Sequence, residues 1–125
     1  MSMIRFVLCL TIALFLTACS STKNWQGNSN DESTQAEFKE LNGKQHFVLR
    51  VPSNDTYLSY RFTTAAGTLQ ASIKSASGFV FNDKIKSLEE KRIHLVNQKG
   101  ATYKVMLEGN QASGSMDVRF VSSNL

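Results

Sequence analysis

"GATYKVMLEGNQASGSMDVRF", Gly100 to Phe120, alternates apolar and polar side chains on either side of a polar break flanked by glycines. Tyr103, Val105 and Leu107 share one face of the first run, and Met116, Val118 and Phe120 share one face of the second. A repeat of two is the mark of a strand that buries one side and leaves the other in water. Between the runs, "GNQASG" (Gly109 to Gly114) offers two glycines and an asparagine, the residues that tight turns favour. The stretch therefore predicts two antiparallel strands joined as a hairpin.

The same period extends upstream. "HFVLRV" puts Phe47, Leu49 and Val51 on one face. "YLSYRFT" sets Leu58, Tyr60 and Phe62 against Tyr57, Ser59 and Arg61, and "GTLQASIKS" aligns Leu69, Ala71 and Ile73. "GFVFND" is a short apolar piece, and "KRIHLVN" places Ile93 and Leu95 opposite Arg92 and His94. Turn residues fall between the runs at Pro52-Ser53-Asn54-Asp55, Ala66-Gly67, Ser77-Gly78, Lys99-Gly100 and Gly109-Asn110. Seven short strands at this spacing predict an all-β domain, a small antiparallel β-sandwich of jelly-roll or immunoglobulin-like kind, from Ala36 to Leu125. "TQAEFKELNG" departs from the pattern and reads as a turn of helix or an irregular edge. Burying each apolar side chain is worth about 1.5–3 kcal/mol, which lets the inward set offset much of the backbone entropy.

The Gly100 to Phe120 stretch is also similar to the closing hairpin of small jelly-roll-like accessory sandwiches of secreted bacterial proteins, and to the end of short cell-surface lipoproteins of unassigned function. That resemblance implies the fold and brings no ligand residue with it.

The first residues carry a different signal. "MSMIRF" supplies one cation, Arg5, and "FVLCLTIALFL" runs from Phe6 to Leu16 without a charge. A cationic start, a short apolar core and small residues at its exit describe a cleaved signal peptide, residues 1–18. The run is shorter than the roughly 20 residues that cross a bilayer. At its end, "LTACSST" places Leu16-Thr17-Ala18-Cys19 where the lipobox of bacterial lipoproteins stands. Resemblance to that family implies that the Cys19 thiol is alkylated with a diacylglyceryl group and becomes the first residue of the mature chain. Two acyl chains hold a protein stably on a membrane, whereas one does so only marginally. Localisation follows as the bacterial cell envelope: the outer face of the cell membrane, or the outer membrane of a double-membraned host. Ser20 stands where many lipoproteins kept at the inner membrane carry aspartate.

The anchor changes what the remaining residues can do. The chain has two cysteines, Cys9 and Cys19; the first leaves with the signal peptide and lipid consumes the second. The mature domain is left without a thiol, a disulfide or a thiolate metal site. Thirteen basic side chains against ten acidic ones remain, scattered mostly singly, so the dense basic and aromatic patch of a nucleic-acid binder is missing. "SSTKNWQGNSNDESTQ" is too polar to order itself, and residues 19–35 read as a flexible tether in which Trp25 has no evident role.

Candidate site residues are few. His46 and His94 each stand alone on a strand, and together they would form a metal site only by meeting in space. No G-x-S-x-G elbow or phosphate loop occurs, and Glu89 and Glu90 point to opposite faces when extended. Tyr57, Arg61 and Tyr103 are candidates for a binding patch. Two functions fit: a non-catalytic binding module that contacts an envelope protein or cell-wall polymer, and a carrier of a metal or small ligand beside an envelope transporter. No cofactor is implied, and a monomer is the expectation.

If Cys19 is the membrane attachment, Cys19→Ser moves the protein from the membrane pellet to the soluble or secreted fraction. Fractionation with mass analysis of the mature N-terminus checks it; wild-type levels of the variant in the pellet would refute it.

Overall fold

The computed structural model describes residues 20–21 and 24–122. The segments expected to be signal peptide and lipobox, with Cys19, lie outside the described residues. The described residues form seven strands: β1 (Ser20–Ser21), β2 (Asn24–Ser29), β3 (Ser33–Arg50), β4 (Asp55–Ser75), β5 (Gly78–Lys84), β6 (Leu88–Val96) and β7 (Thr102–Ser122). All pairings are antiparallel, in the order β1-β3-β7-β4-β5, with β2 also on β3 and β6 also on β4.

Strands β3, β4 and β7 run for 18, 21 and 21 residues, against a usual length of about 5–6. Each belongs to both layers of a β-sandwich. Sheet one is formed by β2, the first part of β3, the last part of β7, the first part of β4, and β6. Sheet two is formed by β1, the end of β3, the start of β7, the end of β4, and β5. The sandwich is thus one sheet doubled over a crease that crosses all three long strands.

A strand that folds over must keep its apolar side chains inward, and a strict period of two cannot do this across a bend. The chain solves the problem by changing parity. On β3 the buried residues shift from Thr34, Ala36 and Phe38 to Leu41 and Leu49; on β4 from Leu58, Tyr60 and Phe62 to Leu69, Ala71 and Ile73. On β7 they shift from Tyr103, Val105 and Leu107 to Ala112, Met116, Val118 and Phe120. Register breaks mark each change, between Phe38 and Gly43 on β3 and between Thr64 and Thr68 on β4. Left-handed backbone supplies the bend at Glu40 (φ 53°), Gly67 (φ 74°) and Gln111 (φ 52°), the conformation of a bulge that increases local twist.

The crease corrects the hairpin expectation. "GNQASG" does not turn the chain back on itself, because both runs of the Gly100 to Phe120 stretch are one strand, β7, lying between β3 and β4. "YLSYRFT" and "GTLQASIKS" are likewise a single strand bent at Gly67. Hairpin turns and bulges both use left-handed residues, so glycine and asparagine mark either one.

Two further readings are corrected. "TQAEFKELNG" is strand, with Thr34, Ala36 and Phe38 buried in the core. The segment read as tether pairs along β3 from Asn24↔Lys39 to Ser29↔Thr34, and the Asn30 side chain closes the following turn by accepting from Glu32 N (2.8 Å) and Ser33 N (3.0 Å). Trp25 explains the ordering. Its ring stacks on Phe38 of sheet one (5.5 Å) and Phe47 of sheet two (6.1 Å) and so closes one open side of the sandwich. Phe62 and Phe81, stacked at 5.8 Å with Tyr60 beside them, close the other. Ring contacts and edge hydrogen bonds outweigh the polar composition around Trp25.

The crease admits no side chain at Gly67. A Cβ there would stand 2.0 Å from the Gln111 carbonyl oxygen, on a left-handed backbone. Gly67→Ala is expected to cost about 3 kcal/mol, overpacking added to left-handed strain. Gly100 is also left-handed (φ 87°) but has open space around it, so Gly100→Ala should cost only about 1 kcal/mol. Urea unfolding of both variants checks this; equal costs would disprove the crease packing.

Candidate functional site

Alternation that buries one side of sheet one presents the other to solvent. Across that outer face the register aligns Asn28, Gln35, Asp117, Arg61 and Glu90 in one row, on β2, β3, β7, β4 and β6. The neighbouring row holds Gln26, Glu37, Ser115, Thr63 and Leu88. An open trough of about 450 Å³ runs over the first row, and a second of about 520 Å³ continues it toward the crease; they share Gln26, Glu37 and Ser115.

The polar groups of the trough hold one another in place. Arg119 grips Asp117 with both arms, Nε donating to Oδ1 at 2.7 Å and Nη2 to Oδ2 at 3.0 Å, and Nη2 also donates to Gln35 Oε1 at 3.2 Å. Arg61 Nε lies 3.7 Å from Glu90 Oε2. The hydroxyls of Thr63 and Ser115 are 2.6 Å apart. Bidentate pairing fixes planar groups as well as charges, so amide, carboxylate and guanidinium planes are laid out in advance along the trough.

At the far end of the same face stands an aromatic platform. Tyr57, half-buried on β4, stacks on His94 of β6 with centroids 4.6 Å apart and planes 14° from parallel. The Arg92 guanidinium lies 5.7 Å from the Tyr57 ring centroid. His94 Nε2 and Asp55 Oδ1 share a hydrogen bond of 2.5 Å. Tyr57 and Arg61 are four residues apart on one strand face, a span of roughly 13 Å.

The sequence candidates separate accordingly. Tyr57 and Arg61 come together on the outer face of sheet one. Tyr103 does not join them: it is inward on β7, 3% exposed, edge-on to Phe120, with its hydroxyl donating to Gln98 Oε1 at 2.5 Å. Burial pushes its phenol up from the ordinary range, and the hydrogen bond to Gln98 pulls the other way. His46 points outward from sheet two beside Met106, whereas His94 points outward from sheet one. The sandwich stands between them, so they do not converge on a metal. Among the described residues no group of three or more His, Cys, Asp or Glu could hold a metal ion. Sequence reading missed Gln26, Asn28, Gln35 and Glu37, whose strands it took for tether or irregular edge; the signal was the alternation from Thr34 to Phe38.

Neither a protein-family model nor a curated protein matches the chain. Among solved structures it is similar in fold to a protein described as "CBM4 structure and function", with 6% identity, TM-score 0.40, and 83% of this chain covering 78% of that one. It is also similar to the CBM22-1 xylan-binding domain of Paenibacillus barcinonensis Xyn10C (10% identity, TM-score 0.33, 84% of this chain and 87% of that one). A third is the carbohydrate-binding module CBM36 solved with calcium and xylotriose (10% identity, TM-score 0.32, 83% and 98%). The likeness is one of chain path.

Outward trough residues should be energetically separable from the core. Gln35→Ala and Arg61→Ala are expected to change unfolding free energy by no more than about 0.5–1 kcal/mol, whereas Tyr103→Ala should cost about 3–5 kcal/mol. Chemical denaturation of the three variants checks it; a core-sized loss for either trough variant would contradict the assignment.

Proposed function

We propose that this protein is a non-catalytic binding module, held on the bacterial envelope by lipid at Cys19, that contacts a polyhydroxylated polymer through the outer trough of sheet one. The observation that carries the reading is the row Asn28, Gln35, Asp117, Arg61 and Glu90, with the Tyr57–His94 platform on the same face. Hydroxyl groups both donate and accept. They suit a surface where side-chain amides, carboxylates and guanidinium groups alternate over a long open path. A half-buried aromatic ring supplies a flat apolar face for the C–H side of a sugar ring. The trough lies open to solvent, which suits a chain rather than an enclosed small molecule.

Asp117 and Glu90 are each engaged by an arginine, an arrangement that orients acceptors rather than freeing a carboxyl for proton transfer. The carrier alternative loses its main support with His46 and His94 on opposite faces. The anchor takes a more intimate form than a long leash. Ser20, the residue after Cys19, pairs with Gly43 at the crease, so lipid at Cys19 would hold the sandwich against the bilayer.

Pull-down of the mature chain on insoluble cell-wall material and on neutral polysaccharides tests the binding surface. Retention on at least one such polymer is expected, reduced at least tenfold by Tyr57→Ala and by Arg61→Ala. Retention indifferent to both variants, or none on any polymer, would overturn the reading.

A further inference from the structure

The two outer faces differ in charge. Sheet one presents Lys39, Arg61, Arg92 and Arg119 against Glu37, Asp55, Glu90 and Asp117, a balanced set. On sheet two the outward rows hold Lys44, Arg50, Lys74, Lys84 and Lys104 against Glu108. One row reads Val48, Lys104, Lys74, Phe79 across β3, β7, β4 and β5. Lys104 and Lys74 are direct cross-strand neighbours, a like-charge pair that costs stability. Val48 and Phe79, at the ends of the row, are 56% and 57% exposed. The Lys74 ammonium lies 5.3 Å from the Phe79 ring centroid, and a depression of about 310 Å³ lies between Lys74, Ser75, Thr102 and Lys104.

We infer that the outer face of sheet two docks on an anionic bilayer, its lysines against lipid phosphates and Phe79 and Val48 at the headgroup boundary. Clustered lysines are drawn to an anionic membrane surface, and aromatic rings settle at its interface. Charge complementarity alone would also admit an acidic polymer. The exposed apolar ends of the lysine row favour lipid, as does the path of the chain, which rests on the anchoring reading: β1 joins sheet two beside Lys44, one residue after Cys19. Docked this way, the protein turns the trough of sheet one away from the membrane.

The face is testable without the acyl group. The chain from residue 19 onward with Cys19→Ser contains every described residue, and hence the whole core. It is mixed with vesicles of phosphatidylcholine alone or with about one-third phosphatidylglycerol, and the bound fraction is measured by sedimentation. Binding is expected to be at least tenfold tighter to the anionic vesicles and to weaken with added salt. Lys74→Glu with Lys104→Glu should reduce it at least tenfold and Phe79→Ala severalfold, whereas Lys91→Glu on β6 should leave it within twofold. Equal binding to both vesicles, or indifference to the lysine pair, would overturn the inference. So would tight binding to soluble polyphosphate without preference for anionic vesicles, which would assign the face to an acidic polymer. None of these outcomes bears on Cys19 lipidation or on the trough, whose tests use other variants.

Discussion

A strand can bury only every second side chain, yet three strands here must bury side chains in both layers of a sandwich. That constraint is met by a short irregular stretch on each strand, with left-handed backbone at Glu40 and Gly43, at Gly67 and at Gln111. The stretches lie side by side and hold one another. Gln111 N donates to Asn42 Oδ1 at 2.8 Å, Glu40 N donates to Ser113 Oγ at 3.3 Å, and Gly67 packs on the Gln111 carbonyl. Backbone groups freed from the ladder by the bend thus find side-chain partners. Without the parity change, either half of each long strand would turn its apolar face to water.

The period of two in the sequence was enough to read the fold class and most of the core. Leu58, Phe62, Leu69, Ile73, Val105, Leu107, Val118 and Phe120 are all inward. Connectivity was less legible, because glycine and asparagine serve hairpins and bulges alike and only partner strands tell them apart. The segment before Ala36 was hidden for another reason. Its order comes from Trp25 meeting Phe38 and Phe47, rings 13 and 22 positions away that no local window joins. The trough was invisible for the same cause: its five-residue row is drawn from five strands, and Tyr57 and Arg61 were readable only as outward residues of one of them.

The division of labour proposed for the outer faces follows from the architecture. Two layers that share their long strands move as one body, so what fixes sheet two relative to a surface also fixes the direction in which sheet one faces. A balanced, preorganised face and a lysine face on opposite sides therefore give the module a defined top and bottom.

The place of β7 between β3 and β4 also governs when the chain can fold. β3 and β4 do not pair with each other; each finds its inner partner only in Thr102–Ser122. Pairings such as Ser33↔Arg119 close loops of more than eighty residues, and contacts so distant in sequence form late and slowly. Until that last long strand has been made, β1–β3 on one side and β4–β6 on the other have no strand to join them. Under the proposed export, a chain that passes unfolded through a translocation channel would carry its own delay, set by strand order.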